Sequence, residues 1–132
     1  MTDKPGRIAY LIGAGVALAA GFIEVWMNLA VGIVGNEDNP VNQGFYLIVA
    51  AAAACAFTAR WRADGLARAM LAVAGLQALL GLAVATAPAT ARIEPMGAAG
   101  VLILTGGFTA LWLIAAASFH TGARQQAREL AA

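Results

Sequence analysis

The chain has 132 residues, of which 61% are hydrophobic and 11% are charged, and its mean hydropathy is +0.77. Soluble domains carry about 25% charged residues, so this composition argues against an ordinary soluble domain and predicts an integral membrane protein. The net charge of +1 gives no basic excess for binding nucleic acid, and a single cysteine and a single histidine exclude disulfide frameworks and multi-cysteine or paired-histidine metal sites. We therefore expect one membrane domain over residues 1–132, with no metal and no cofactor.

The first apolar segment, residues 8–34, is predicted to be a retained membrane helix. It continues for about 27 residues, whereas the apolar core of a signal peptide has about 7 to 15. On a helical wheel, small and polar residues share one stripe, and bulky apolar residues lie opposite. Gly13, Ala17 and Gly21 in that stripe allow another helix to approach closely, which predicts helix packing and association between copies.

Glu24 belongs to the same stripe and lies about ten residues inside the predicted outer end of the helix, near the middle of the membrane. A bare carboxylate there costs about 2.5 kcal/mol or more, so Glu24 should face the bundle interior and be protonated or paired. Its candidate partners are trapped water, Asn28 one turn along the helix, Gln77 in the third span, Tyr10, Thr105 and Thr109. Glu24 is then either a proton-binding or ligand-binding group or part of an interhelical hydrogen bond that fixes packing.

Residues 40–59 and 66–87 form the second and third predicted spans. Asn39 followed by Pro40 is typical of an N-cap with proline at the first helical position. Pro88 is expected to end the third helix.

The fourth predicted span covers residues 98–119. Thr105 and Thr109 are expected to donate to the carbonyls four residues earlier, and the tail 120–132 is predicted to extend the helix as a polar segment. Each span has about 20 residues or more, enough to cross a hydrocarbon core of about 30 Å. The segments lack the short alternating pattern of barrel strands, so we predict an all-α, four-helix transmembrane bundle.

Positive charges predict the orientation of the bundle. Only Arg92 lies at one end, and the other end holds seven of the eight basic residues: Lys4, Arg7, Arg60, Arg62, Arg68, Arg124 and Arg128. The positive-inside rule then places both termini in the cytoplasm. The outward loop 36–39 carries oxygen-bearing side chains and is expected to serve as a turn and cap, with binding of a hard cation as the alternative.

Residues 26–40 and 60–62 carry a family resemblance. The chain there resembles a family of uncharacterised small four-span bacterial inner-membrane proteins, most specifically at Asn-Leu-Ala-Val-Gly (28–32) and Glu-Asp-Asn-Pro (37–40). The resemblance implies a multi-pass protein of the bacterial inner membrane and no particular activity. A weaker similarity, to small multidrug resistance transporters, rests on length, four spans and a membrane-embedded glutamate, here Glu24.

Two functional hypotheses follow. Because the sequence lacks a P-loop, a Rossmann fingerprint and a nucleophile elbow, the first is a protein that is not an enzyme. It would be an accessory or assembly component of a membrane complex, or a homo-oligomer formed through the small-residue face of the first helix, with no nucleic-acid partner. The alternative is a proton-coupled transporter of a small cation or polar solute, with Glu24 as its site and Asn28 and Gln77 in support.

Overall fold

Four α-helices form a bundle in the computed structural model, which describes residues 5–33, 39–88 and 97–131. They are α1 (Arg7–Ala30), α2 (Gln43–Thr58, preceded by the 3-10 turn Pro40–Asn42), α3 (Ala63–Ala85) and α4 (Gly97–Ala131). All four are long and apolar enough to cross a membrane when the turn is counted with α2. The all-α, four-helix architecture is confirmed, and the orientation of the termini stays a prediction.

The helix ends agree with the sequence except at the end of α1. Asn39 accepts a hydrogen bond from the Val41 amide at 3.1 Å, which confirms the predicted cap, and α4 continues through the tail to residue 131. In contrast, α1 ends at Ala30, four residues before its predicted end. The reason is Gly32, whose φ of 78° lies in the left-handed region that terminates helices. Because the residues after Gly32 are apolar, the hydropathy pattern does not reveal that α1 ends here.

The helices are ordered α2, α3, α4, α1 in space. The most extensive interface joins α3 to α4, the next joins α1 to α4, and α2 packs on α3 but meets α1 only sparsely. Two glycines bring backbones close: Gly81 of α3 faces Thr105, and Gly122 of α4 faces the backbone at Gly6. This arrangement leaves a lateral gap between α1 and α2.

The interior has two apolar clusters with a polar layer between them. One cluster extends toward the arginine-bearing end and includes Ala20, Met70, Trp112 and Phe119. The other lies toward the opposite end and consists of Ile33, Phe45, Val84, Ala85, Val101 and Phe108. Along α1 and α3, the positions between the two clusters include the buried polar residues Glu24 and Gln77, and the buried Thr105 of α4 lies within the second cluster, between Val101 and Phe108.

The turn between α2 and α3 places two non-glycine residues in the left-handed region. Arg60 has φ 56° and Trp61 has φ 61°. The Trp61 amide donates to the Ala56 carbonyl at 3.2 Å and the Arg60 amide to the Phe57 carbonyl at 3.0 Å, which is the Schellman pattern of helix termination. Arg60 therefore occupies the position that usually holds glycine.

Replacing Arg60 by glycine is expected to raise the free energy of unfolding by up to about 1 kcal/mol. A left-handed backbone costs a residue with a Cβ about 1 to 2 kcal/mol, and the greater freedom of unfolded glycine offsets part of the gain. Denaturant unfolding in detergent micelles measures the change. Arg62→Gly is the control, because Arg62 has φ −81° and should gain nothing. A lower midpoint for Arg60→Gly than for that control would contradict the expectation.

Candidate functional site

The buried polar layer is built around Glu24. Its side chain is 0% exposed, and it lies on the inner face of α1 because the lipid-facing side holds the bulky residues of the helix. Gln77 of α3, also 0% exposed, and Trp112 of α4 are the polar side chains that face the carboxyl. The structure thus brings together the predicted pair Glu24 and Gln77 and adds Trp112.

Hydrogen bonding within this layer is incomplete. The Trp112 indole Nε1 donates to Gln77 Oε1 at 3.2 Å. Since an indole can only donate, the Gln77 side-chain oxygen must face Trp112. The side-chain nitrogen of Gln77 is then left to donate to another group. Within the described part of the chain, neither that Gln77 Nε2 nor either Glu24 oxygen has a hydrogen-bond partner in proper geometry. A carboxyl with this unused capacity can hold a proton or bind a small polar group.

The position of Glu24 along its helix differs from the prediction. Because α1 ends at Ala30, the glutamate lies six residues, or about 9 Å, from the end of its helix. The sequence predicted about ten residues and a position near the middle of the membrane. The polar layer is therefore displaced toward the end opposite the arginines.

Asn28 has a different role from the predicted support of Glu24. Its Nδ2 donates to the Asn42 carbonyl at 3.0 Å. The Ile33 amide lies 3.3 Å from Asn28 Oδ1 and 3.2 Å from Asn42 Oδ1, and donates to both. Asn28 thus fastens the end of α1 to the turn before α2, and the sequence analysis missed Asn42, for which the only signal was a polar residue two positions after Pro40.

Replacing Asn28 by alanine is expected to lower the free energy of unfolding by about 2 to 3 kcal/mol. The change removes a buried donor and a buried acceptor and leaves the Asn42 carbonyl with one partner fewer. Thermal unfolding in detergent checks this. The exposed Gln43→Ala should change the stability by less than about 0.5 kcal/mol. Equal effects of the two variants would refute the proposed role of Asn28.

The small-residue face of α1 packs within its own chain. A Cβ added to Gly13 would lie 3.0 Å from the Phe119 ring of α4, and one added to Gly21 would lie 3.6 Å from Val49 of α2. Ala17 packs against the same apolar cluster. Part of this face therefore packs against α4 and α2 of the same chain, and the predicted association between copies stays a prediction.

A groove of about 530 Å³ occupies the gap between α1 and α2. Its walls include Ala14 and Ala17 of α1 and Ala53 of α2, and its floor includes Trp112 and Phe119. Leu18 and Phe22 at its rim are 75% and 70% exposed, so the groove opens sideways toward the surface that faces lipid. The sequence did not predict this groove, because the separation of α1 from α2 arises from their packing on α4 and α3.

The remaining candidates have other partners. The Thr105 hydroxyl donates to the Val101 carbonyl at 2.7 Å and the Thr109 hydroxyl to the Thr105 carbonyl at 2.9 Å, as predicted. The Tyr10 hydroxyl donates to the Trp61 carbonyl at 2.7 Å. The described residues contain no group of three or more His, Cys, Asp or Glu that could hold a metal ion. Apart from Asn39, the loop proposed to bind a cation lies outside the described residues, as does Arg92.

Comparison with known proteins provides no relative from which a role can be transferred. The resemblance to small four-span bacterial inner-membrane proteins therefore stays a prediction. No protein-family model, no curated protein and no solved structure matches this chain.

Proposed function

We propose that this chain is a noncatalytic integral membrane protein that binds an apolar molecule of the bilayer in the groove between α1 and α2. The observation that carries the proposal is the groove itself, which opens sideways through a rim of exposed Leu18 and Phe22. This role suits an accessory component of a membrane assembly. We favour it over association through the small-residue face, since Gly13 of that face already packs against Phe119 of α4.

The groove has the size and lining of a ligand site. Its volume of about 530 Å³ falls within the range of about 300 to 1,000 Å³ typical of small-molecule pockets. Hydrocarbon tails are as apolar as its walls, so burial alone gives no driving force, and binding must come from close packing. The surface for that packing comes from groove residues that remain accessible, such as the exposed Leu18, Phe22 and Ala53, and the buried Trp112 and Phe119 form the floor behind them.

Photolabelling tests the proposal. A phospholipid with a diazirine in its acyl chain, reconstituted with the protein, should label groove residues several-fold more than the outer face of α1. Ala53→Trp fills the groove and should abolish this excess, whereas Ala54→Trp, one position along α2 and outside the groove, should preserve it. Uniform labelling of both surfaces, or an excess that survives Ala53→Trp, would refute the proposal.

Proton-coupled transport at Glu24 is a second candidate, and the unpartnered, fully buried carboxyl beside Gln77 favours it. Burial of an ionisable group at membrane depth is itself an argument for function. In proteoliposomes, a substrate-dependent proton flux should vanish in Glu24→Gln, which keeps the size of the side chain but cannot titrate. A flux that persists in this variant, or no flux across a broad panel of cations and metabolites, would exclude Glu24 as the transport site.

A further inference from the structure

We infer that the groove selects an anionic phospholipid, with an acyl chain between α1 and α2 and the phosphate at a polar cleft beside Arg62. The inference rests on the proposed function and names its ligand. It is carried by the position of a second cleft at the arginine-bearing end of the bundle, directly beside the apolar groove, with which it shares two lining residues.

The cleft has a volume of about 340 Å³ and is lined by residues of the α2–α3 turn, of the start of α3 and of α4, including Arg62, Asp64 and Gln126. Tyr10 and Trp61 line both the cleft and the groove. The hydrogen bond from the Tyr10 hydroxyl to the Trp61 carbonyl at 2.7 Å fixes this shared wall. An amphiphile bound here would therefore have its tail on one side of this aromatic pair and its headgroup on the other.

The charges at this end favour an anion. The described residues there carry two carboxylates, Asp64 and Glu129, and six arginines: Arg7, Arg60, Arg62, Arg68, Arg124 and Arg128. Asp64 lies 4.0 Å from Arg68 and accepts a hydrogen bond from the Gly65 amide, so its charge is directed toward its own helix. Arginine offers several donors in a planar fork that matches phosphate oxygens.

The same charges disfavour a second copy of this chain as the occupant. A second bundle docked side by side would bring its own six arginines against these six. A zwitterionic lipid fills the groove equally well but has no net charge to complement the arginines. An anionic phospholipid satisfies both the apolar groove and the arginine-rich end of the bundle at which the cleft lies.

The backbone at Arg60 supports this assignment. Glycine suits the left-handed position at which Arg60 lies, so the requirements of the turn do not account for an arginine there. Arg60 is exposed and directly precedes the Trp61 of the shared wall, and Arg62 is the arginine that lines the cleft itself.

Native mass spectrometry can test the selection. The purified protein receives equimolar phosphatidylglycerol and phosphatidylcholine with identical chains, and retained lipids are counted. Each arginine near an anionic headgroup is worth about fivefold in binding. The double variant Arg60→Gln/Arg62→Gln should therefore lower phosphatidylglycerol retention by about fivefold or more and leave phosphatidylcholine retention unchanged. Arg124→Gln/Arg128→Gln, which removes the same charge outside the cleft, should keep the preference.

Three results would overturn the inference. Equal losses in the two double variants would indicate general attraction rather than a headgroup site. No preference in the unmodified protein, with acyl labelling of the groove retained, would refute the headgroup site and leave the proposed function intact. If Ala53→Trp retains phosphatidylglycerol as well as the unmodified protein does, the lipid binds outside the groove. Unchanged unfolding midpoints serve as the check that each variant folds.

Discussion

Replacing Gly81 by alanine is expected to lower the free energy of unfolding by about 2 to 3 kcal/mol, one of the largest effects for a single methyl group in this chain. A Cβ at Gly81 would lie 2.5 Å from Thr105 Oγ1 and 2.9 Å from Thr105 Cβ. Contacts this short force α3 away from α4, and these two helices form the most extensive interface of the bundle. Inserting a methyl into such a packed contact typically costs about 1 to 3 kcal/mol.

Gly75 provides a matched control on the same helix. A Cβ there meets nothing within 4 Å, so Gly75→Ala should stabilise α3 by about 0.5 to 1 kcal/mol through helix propensity alone. Thr105→Ala removes the hydroxyl nearest to Gly81 and should restore part of the stability lost in Gly81→Ala, which a double-mutant cycle can measure. Equal behaviour of Gly81→Ala and Gly75→Ala would contradict the close crossing of α3 and α4.

The four helices were predictable because a membrane span has a minimum length and an apolar composition. Both properties can be read directly from the amino-acid sequence. The end of α1 was not, because Gly32 stops the helix inside an otherwise apolar run. Hydropathy measures where a segment can reside, whereas the left-handed backbone of a single glycine decides where the helix ends.

The candidate site was predictable in part. Glu24 and Gln77 interrupt apolar spans, so their burial against each other followed from the high cost of exposing them to lipid. Trp112 was missed because its ring fits an apolar pattern, although it lies seven residues from both Thr105 and Phe119 on the inner face of α4. Asn28 was predicted to support Glu24 because one helical turn separates the two residues. That spacing does not reveal that Asn28 donates a hydrogen bond to the carbonyl of Asn42 in the turn before α2.

Replacing Glu24 by methionine is expected to raise the free energy of unfolding by about 1 to 3 kcal/mol. The carboxyl is fully buried, and although Gln77 and Trp112 face it, neither donates to its oxygens in proper geometry within the described segments, so the substitution loses little hydrogen bonding. It removes the cost of transferring an unsatisfied polar group from the unfolded chain into an apolar interior. Methionine is flexible enough to fill the space that remains.

Gln77→Leu should have the opposite sign, which makes it the control for Glu24→Met. Gln77 accepts a buried hydrogen bond from the Trp112 indole at 3.2 Å, so its replacement removes that bond and should destabilise the bundle by about 1 to 2 kcal/mol. Unfolding of both variants in the same detergent then separates the two interpretations of Glu24. A stabilised Glu24→Met means that the bundle holds this carboxyl at the expense of stability, as expected of a functional group. A destabilised Glu24→Met would instead assign Glu24 to an interhelical hydrogen bond that fixes packing and would remove the main support for a proton-binding site.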